Sequence, residues 1–392
     1  MKVFSRFALI GFFFIFLFCS ISGCENNKTA AAEGDKSKDE KDKGNGLEQD
    51  DETPIIIKNN EFTVNGKRIW INGTNTPWDK WNDFGGGYND TWWNEHFAKL
   101  HEAGINAVRV WINCNNDQSA VIINDSGIVS GVSDKHWADL DKFFKTAQRN
   151  KIYIMATLLS FDHFKNEGSR PDALKWRNML QNDAASASFV DKYTIPFVNR
   201  YKNNPWLWSI DICNEPDWIY EEDICGNIPW ERISYFLALN AAAIHENSDI
   251  LVTVGMAFPK YNADGAGYEG NKVSDTFLQK LYPNKKAYLD FWSPHYYDWV
   301  GTYYGVPFYV KPSGSRPGGW GLDNSKPALI GECSAKGSKG KTIISDFENA
   351  FINGWQGVMP WTSNGVDDNG DIDDFSPATK NMLEKHRKLI FP

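Results

Sequence analysis

From residue 55 onward the chain repeats one alternation. A short apolar run rich in β-branched and aromatic residues is followed by a longer stretch whose apolar positions recur near i, i+3, i+4 and i+7. The strand-like runs end at WINGTNTPW, NAVRVWINC, IYIMATLLSF, WSIDICNEP, ILVTVGMAF, LDFWSPHYY, PALIGECSA and GVMPWTSNG. Helical patterns lie between them, clearest in DTWWNEHFAKLHEAG, KHWADLDKFFKTAQRN, ASFVDKYTIPFVNRYKN and WERISYFLALNAAAIHEN, with Gly104 and Asn150 as helix stops. Eight such units predict an α/β protein of the (β/α)8 TIM barrel type with insertions, because each strand feeding a helix must return to a parallel neighbour. The first strand-to-helix turn is long and aromatic and has no Gly-x-Gly-x-x-Gly phosphate loop, which argues against a doubly wound open sheet.

Two departures from the repeat are expected. Before the first unit, EFTVNGKRIWING places two β-prone runs about Asn65-Gly66, a strong signal for an N-terminal β-hairpin. Between Trp299 and Pro327 the chain is rich in Gly, Pro and Tyr, so the sixth helix should be shortened or missing.

The N-terminus reads as a processing segment. Lys2 and Arg6 precede the apolar run FALIGFFFIFLFC, and ISGC ends at Cys24. That ending resembles the lipobox of bacterial lipoproteins, which implies a signal peptide over 1–23 and a lipid on Cys24 that anchors the chain to a membrane. Residues 24–53 carry almost no large apolar side chains, so they form a flexible charged tether that cannot bury enough surface to offset its ordering entropy. Residues 54–392 then make the barrel domain, and the lipobox resemblance implies that it sits at the bacterial cell envelope outside the cytoplasm (outer membrane or cell surface).

A net charge of −9 excludes nucleic acid as the main ligand, since that needs a basic footprint. Beyond Cys19 and Cys24, the cysteines Cys114, Cys213, Cys225 and Cys333 show no metal-ligand spacing and read as small buried side chains, with a Cys213–Cys225 disulfide left open. No metal and no cofactor is expected.

In a TIM barrel, chemistry gathers at the C-terminal ends of the strands. Those ends carry Arg109, Asp162 and His163, Asn214 and Glu215, His295 and Tyr297, Glu332, and Trp361. Glu215 on the fourth strand and Glu332 on the seventh would face one another across the mouth. Two facing carboxylates with Arg, His and Tyr suit glycosidic bond cleavage, and their separation decides whether the anomeric configuration is retained or inverted.

The ordered set of Arg on the second strand, NEP on the fourth, HxY on the sixth, GE on the seventh and Trp on the eighth resembles glycoside hydrolase family 5, a family of retaining barrel glycosidases. The resemblance covers nearly all of 55–392. It implies Glu215 as acid/base and Glu332 as nucleophile, and it implies substrate-binding roles for the rest. Asn214 would bond the sugar 2-hydroxyl, Arg109 would orient the nucleophile, and His295 would lie near the acid/base. Tyr297 would donate to Glu332, and Trp361 would form the stacking floor. A histidine near the third strand tip is also implied; His163 is the candidate, although SFDHF leaves open whether Asp162 or His163 points inward. GTN at Gly73 to Asn75 and RVW at Arg109 to Trp111 look like the mannanase branch. The expected activity is therefore endo-type hydrolysis of a plant-type polysaccharide, β-1,4-mannan before β-1,4-glucan, by a monomer. A lipoprotein that binds glycans without cutting them is the alternative of another class, and retention of both glutamates speaks against it.

The remaining histidines read as structural or solvent-exposed, and Trp78 and Trp299 as substrate-binding. His96, His101, His136, His245 and His386 fall on helical faces. Trp78, Trp81, Trp218, Trp299 and Trp320 fall in tip loops, where a flat indole can stack on a pyranose. DDNGDIDDF, from Asp367, has Ile372 where a calcium loop needs glycine and reads instead as a polar loop at the cleft.

Overall fold

A computed structural model describes residues 53–114, 120–167, 172–316 and 318–392. The signal peptide, Cys24 and nearly all of the tether lie outside the described residues.

The barrel strands are β1 (Ile71–Asn75), β2 (Ala107–Trp111), β3 (Tyr153–Thr157), β4 (Leu207–Asp211), β5 (Leu251–Thr253 with Gly255–Met256), β6 (Ser293–Tyr296), β7 (Ile330–Ser334) and β8 (Gly357–Trp361). All neighbours are parallel. Strand β5 breaks at Val254; its first half pairs with β4 and its second half with β6, and β1 pairs with β8. The ring therefore closes with no free edge, which is the (β/α)8 arrangement that the alternation predicts.

Helices follow most strands with ordinary signals. Asn89 caps the helix Asp90–Glu102 by accepting from Trp92 N–H, and Ser133 caps Asp134–Arg149. The first ends just before Gly104 at φ +83°, and Asn150 is the C-cap of the second. The single helix expected around Pro196 is instead two α segments joined by a π turn, Val190–Thr194. Proline has no N–H and crowds the carbonyl a turn before it, so the extra residue accommodates the ring. After β6 the helix is only Asp298–Tyr304, seven residues, followed by irregular chain. An antiparallel ribbon, Val121–Ile123 with Val129–Val132, sits in the β2 insertion; the alternation reading did not contain it.

The N-terminal ribbon pairs Ile56–Lys58 with Glu61–Val64 and the latter with Lys67–Arg68. Asn65 and Gly66 both take positive φ (52° and 72°), as a two-residue turn matched to strand twist requires. Its apolar face closes the bottom of the barrel. Phe62 stands edge-on to Trp208 at 5.4 Å and to Phe291 at 5.2 Å, and Val64 and Ile69 join the same cluster with Met155, Leu329 and Met359. The bottom is thus sealed by packing, and the polar strand ends collect at the opposite mouth.

Candidate active site

Arg109 points inward from the middle of β2 and is fully buried. Leaving a guanidinium dry and unpaired costs several kcal/mol, so its partners decide whether the site can exist. Nη1 donates to Oε1 of Glu332 at 2.6 Å and to Oδ1 of Asn75 at 3.0 Å. Nε and Nη2 both donate to Oδ2 of Asp211, at 2.9 and 2.6 Å, and Nη2 also reaches Oδ1 of Asn214 at 2.7 Å. Burial opposes the charge on Arg109, but Asp211 and Glu332 outweigh it and hold the group more firmly protonated than usual. Asp211 is not among the sequence-derived candidates, and Asn75 enters there only as the last residue of GTN. The readable signal for Asp211 is a carboxylate inside the otherwise apolar run of β4.

Glu332 lies beside His295 in the β6–β7 ladder. Its second oxygen accepts from the Tyr297 hydroxyl at 2.9 Å. Burial and the neighbouring Glu332 push the Tyr297 hydroxyl well up, so it stays a donor. Glu215 follows β4, and its φ of +46° is uncommon for a residue with a side chain and more so before a proline. Its N–H donates to Gly255 O at 2.8 Å, which holds the carboxylate at the mouth in a conformation that costs about 1–3 kcal/mol. Oε1 of Glu215 meets Nδ1 of His295 at 2.8 Å, and Oε2 accepts from Nε1 of Trp218 at 2.9 Å.

Burial drives the His295 pKa down to about 4, so the ring is neutral. Its proton belongs on Nδ1, because carboxylate oxygens of Glu215 and Glu332 lie 2.8 and 3.4 Å from that nitrogen. Burial also pushes both glutamates upward, Glu215 to about 7. Glu332 has a guanidinium and a phenol bonded to it, whereas Glu215 has only two neutral N–H donors. The proton of the pair therefore sits on Glu215, and Glu332 is the anion.

An oxygen from each glutamate and a ring nitrogen of His295 all lie within 4.8 Å of one another. Oxygens this close place the pair on the direct-attack, retaining side of glycosidase carboxylate separations, short of the roughly 6.5–9.5 Å of inverting pairs. The same three residues are near enough for a metal ion, but their oxygens already accept from Arg109, Tyr297 and Trp218, and a buried guanidinium 2.6 Å away repels a cation.

Close backbone approach under the site depends on Gly255. A Cβ there would fall 2.6 Å from His295 Nε2 and 2.7 Å from Arg109 Nη2. Asn214 is nearly buried, and Nδ2 donates to Ser160 Oγ at 3.3 Å, which leaves a second amide hydrogen for a ligand.

Two aromatic walls flank the carboxylates. On one side Trp361 packs against Trp111 at 5.3 Å and Trp78 at 6.4 Å, and Trp78 meets Trp81 at 4.7 Å. Asp83 holds the loop that carries Trp78 and Trp81, accepting from Asp79 N–H at 2.6 Å and Lys80 N–H at 2.8 Å. Asp367 accepts from the Trp361 indole at 2.8 Å and from Asn369 N–H, while Asp371 caps the last helix. The acidic loop is therefore occupied in aiming a tryptophan. On the other side Trp218, Phe258 and Trp299 cluster, with Trp218 to Phe258 at 4.6 Å and Phe258 to Trp299 at 5.1 Å.

Two expectations need correction. His163 is fully buried rather than open to the cleft. It is buried in the 3-10 turn Phe161–Phe164, with Nδ1 returned to the backbone of Ser160 and its ring edge-on to Trp176 at 4.8 Å. The turn caps itself with this side chain, and the ring points into the body of the protein. Trp320 is 1% exposed and packs on Trp355 at 5.8 Å, so it is a core residue. Cys213 and Cys225 are separate buried thiols.

No family model matches the chain. It is 26% identical over 348 residues to the mannan endo-1,4-beta-mannosidase of Mytilus edulis, covering 81% of this chain and 90% of that protein. The enzyme of the same name from Cryptopygus antarcticus is 23% identical over 337 residues, 79% of this chain and 84% of that one. The solved beta-1,4-mannanase of the sea hare Aplysia kurodai superposes with a TM-score of 0.74 at 25% identity, covering 86% of this chain and 99% of that one.

Proposed function

We propose that this chain, a barrel glycosidase of the family 5 mannanase type, is a retaining endo-hydrolase of β-1,4-mannan. The observation that carries the reading is the Glu215–Glu332 pair, within 4.8 Å and held in opposite protonation states by different partners. Glu332, stripped of competing protons by Arg109 and Tyr297, attacks the anomeric carbon. Glu215 gives its proton to the departing glycosidic oxygen, and a covalent glycosyl ester forms on Glu332. The charge on Glu332 is then gone, so Glu215 remains ionised more readily and takes a proton from the incoming water. Water attacks the same face that the leaving sugar vacated, and the configuration is retained. Neutral His295 donates to Glu215 throughout and carries no charge that would compete with the oxocarbenium-like transition state.

The preference for mannan is supported by the names of the relatives over most of the chain length. Soluble mannans and glucans, with released reducing ends measured and the first-formed anomer read by NMR, test the proposal. Mannan should be cut with β-anomer appearing first, and Glu332→Ala should lose at least about a thousand-fold. Release from glucans alone, α-anomer first, or an active Glu332→Ala variant would overturn it.

The position of Cys24 after the apolar export run supports a lipid anchor, with 24–53 as a tether that holds a monomeric enzyme outside the cytoplasm at the cell envelope. Cys24→Ser should move activity from the membrane fraction to the soluble fraction; unchanged membrane association would remove the anchor from the reading.

A further inference from the structure

Glu215 is held from two sides, and only one of its holders belongs to the set of residues that the resemblance implies. The other is Trp218, three residues on, whose Nε1–H lies 2.9 Å from Oε2. The contact is built rather than incidental. Pro216 and Asp217 start a short helix, Asp217–Glu221, and the Trp218 backbone N–H donates to Glu215 O at 3.1 Å. Asp217 is fully buried and accepts from the N–H groups of Ala257 and Phe258, at 3.3 and 2.6 Å. Phe258 is thereby pressed edge-on against the Trp218 ring at 4.6 Å, and Phe161 and Trp299 lie beyond it at 6.4 and 6.2 Å. An indole wedged in this way cannot turn away without moving the loops after β3, β5 and β6.

We propose that Trp218 is a positioning residue for the acid/base: its indole N–H holds Oε2 of Glu215 and, being unable to accept, reserves the acid's proton for the glycosidic oxygen. This rests on the glycosidase reading above. An indole nitrogen donates only, and the Nδ1–H of His295 donates to the other oxygen. A protonated Glu215 therefore has N–H donors on both oxygens and finds no acceptor among them for its own hydrogen. The remaining lone pair and the O–H direction face the cleft, where the leaving oxygen arrives. After proton transfer the same N–H stabilises the carboxylate that must activate water, so one bond serves both half-reactions.

The charged and titratable groups facing Glu215 are Arg109 from β2, Asp162 and Lys165 beyond β3, Asp217 on its own turn, His295 and Tyr297 at β6, and Glu332 on β7. None of them is altered when the indole is replaced. Trp218→Phe keeps an aromatic filler without the donor, and Trp218→Met keeps apolar bulk without it. In both, the basic limb of the kcat/KM profile on mannan oligosaccharides should move up by roughly one pH unit, because one hydrogen bond to the charged form has been lost. Cleavage of an aryl β-mannobioside with a nitrophenolate leaving group, which needs little protonation, should fall about ten-fold less than cleavage of the oligosaccharide.

A folded Trp218→Phe variant with an unmoved basic limb, or equal losses on the two substrates, would overturn the assignment and leave the hydrolase reading intact. If the wild-type protein releases nothing from any mannan, that reading fails instead. Trp218 is then judged by carbon-13 NMR titration of Glu215 in the resting protein, where the same upward shift supports it and coincident curves overturn it.

Discussion

At the scale of single residues, the division of labour between two identical side chains follows from who donates to them. Glu332 has a guanidinium at 2.6 Å and a phenol at 2.9 Å, while Glu215 has an indole and a neutral imidazole. With Glu215 raised to about 7 by burial, the acid form is present below that pH and lost above it, so kcat/KM should fall as pH rises through about 7. Glu215→Gln should abolish that limb and cost roughly a hundred- to ten-thousand-fold on mannan. The same shift enters stability with the opposite sign to that of a salt-bridged carboxylate. In the unfolded chain Glu215 ionises near 4.5, so its contribution is whole below that pH and is lost as pH rises to about 7. The melting temperature of the wild type should therefore decline more steeply across that window than that of Glu215→Gln, and parallel curves would refute the assignment of the raised group.

At the scale of elements, the strand ends do the positioning. Strand β5 is the clearest case, since it breaks at Val254 and sends Gly255 under the site. Gly255 N–H donates to Oδ1 of Asp211 at 3.1 Å, and its carbonyl accepts from Glu215. Gly255→Ala would drive a methyl group into His295 and Arg109, for which neither neighbour has room. We expect about 1–3 kcal/mol of lost stability and a fall in kcat that exceeds any change in KM, read by thermal melting and steady-state kinetics. Melting and kinetics equal to wild type would show that the site can relax. The walls follow the same rule. Asp83 and Asp367 are not substrate ligands by position, yet each bonds the backbone or indole that carries a tryptophan to the cleft.

At the scale of the molecule, stability and chemistry occupy opposite ends of one barrel. The N-terminal ribbon seals the bottom through Phe62, and Phe62→Ala should cost about 3–5 kcal/mol by opening a cavity between Trp208 and Phe291. The folded fraction should keep its kcat on mannan, since Phe62 packs on Trp208 and Phe291 at the end of the barrel away from the carboxylates; a lost kcat at full folding would mean that the two ends are coupled. Much of this was legible in the residues. Alternation of period-2 and period-3.6 patterns, the Asn65-Gly66 turn and the polar strand ends are local properties, and they were enough to predict a (β/α)8 barrel with a hairpin, a short sixth helix and Glu215 and Glu332 at its mouth.

Other features depend on the direction a side chain takes after its strand has ended, where no periodicity applies. SFDHF contains a histidine in a plausible place, but only the folded turn sends His163 back to Ser160 and Trp176. Trp218 and Trp320 look alike in a list of loop tryptophans, and packing put one on the acid/base and the other in the core. Sequence alone determined which residue types arrive at the mouth and in what order, because strand period and unit length are encoded locally. Tertiary structure decided which carboxylate holds the proton, through the gathering of Asp211, Asn75, Tyr297 and Trp218 around Arg109 and the glutamates. Those contacts join residues far apart in the chain, and desolvation and donor geometry exist only once the barrel has closed.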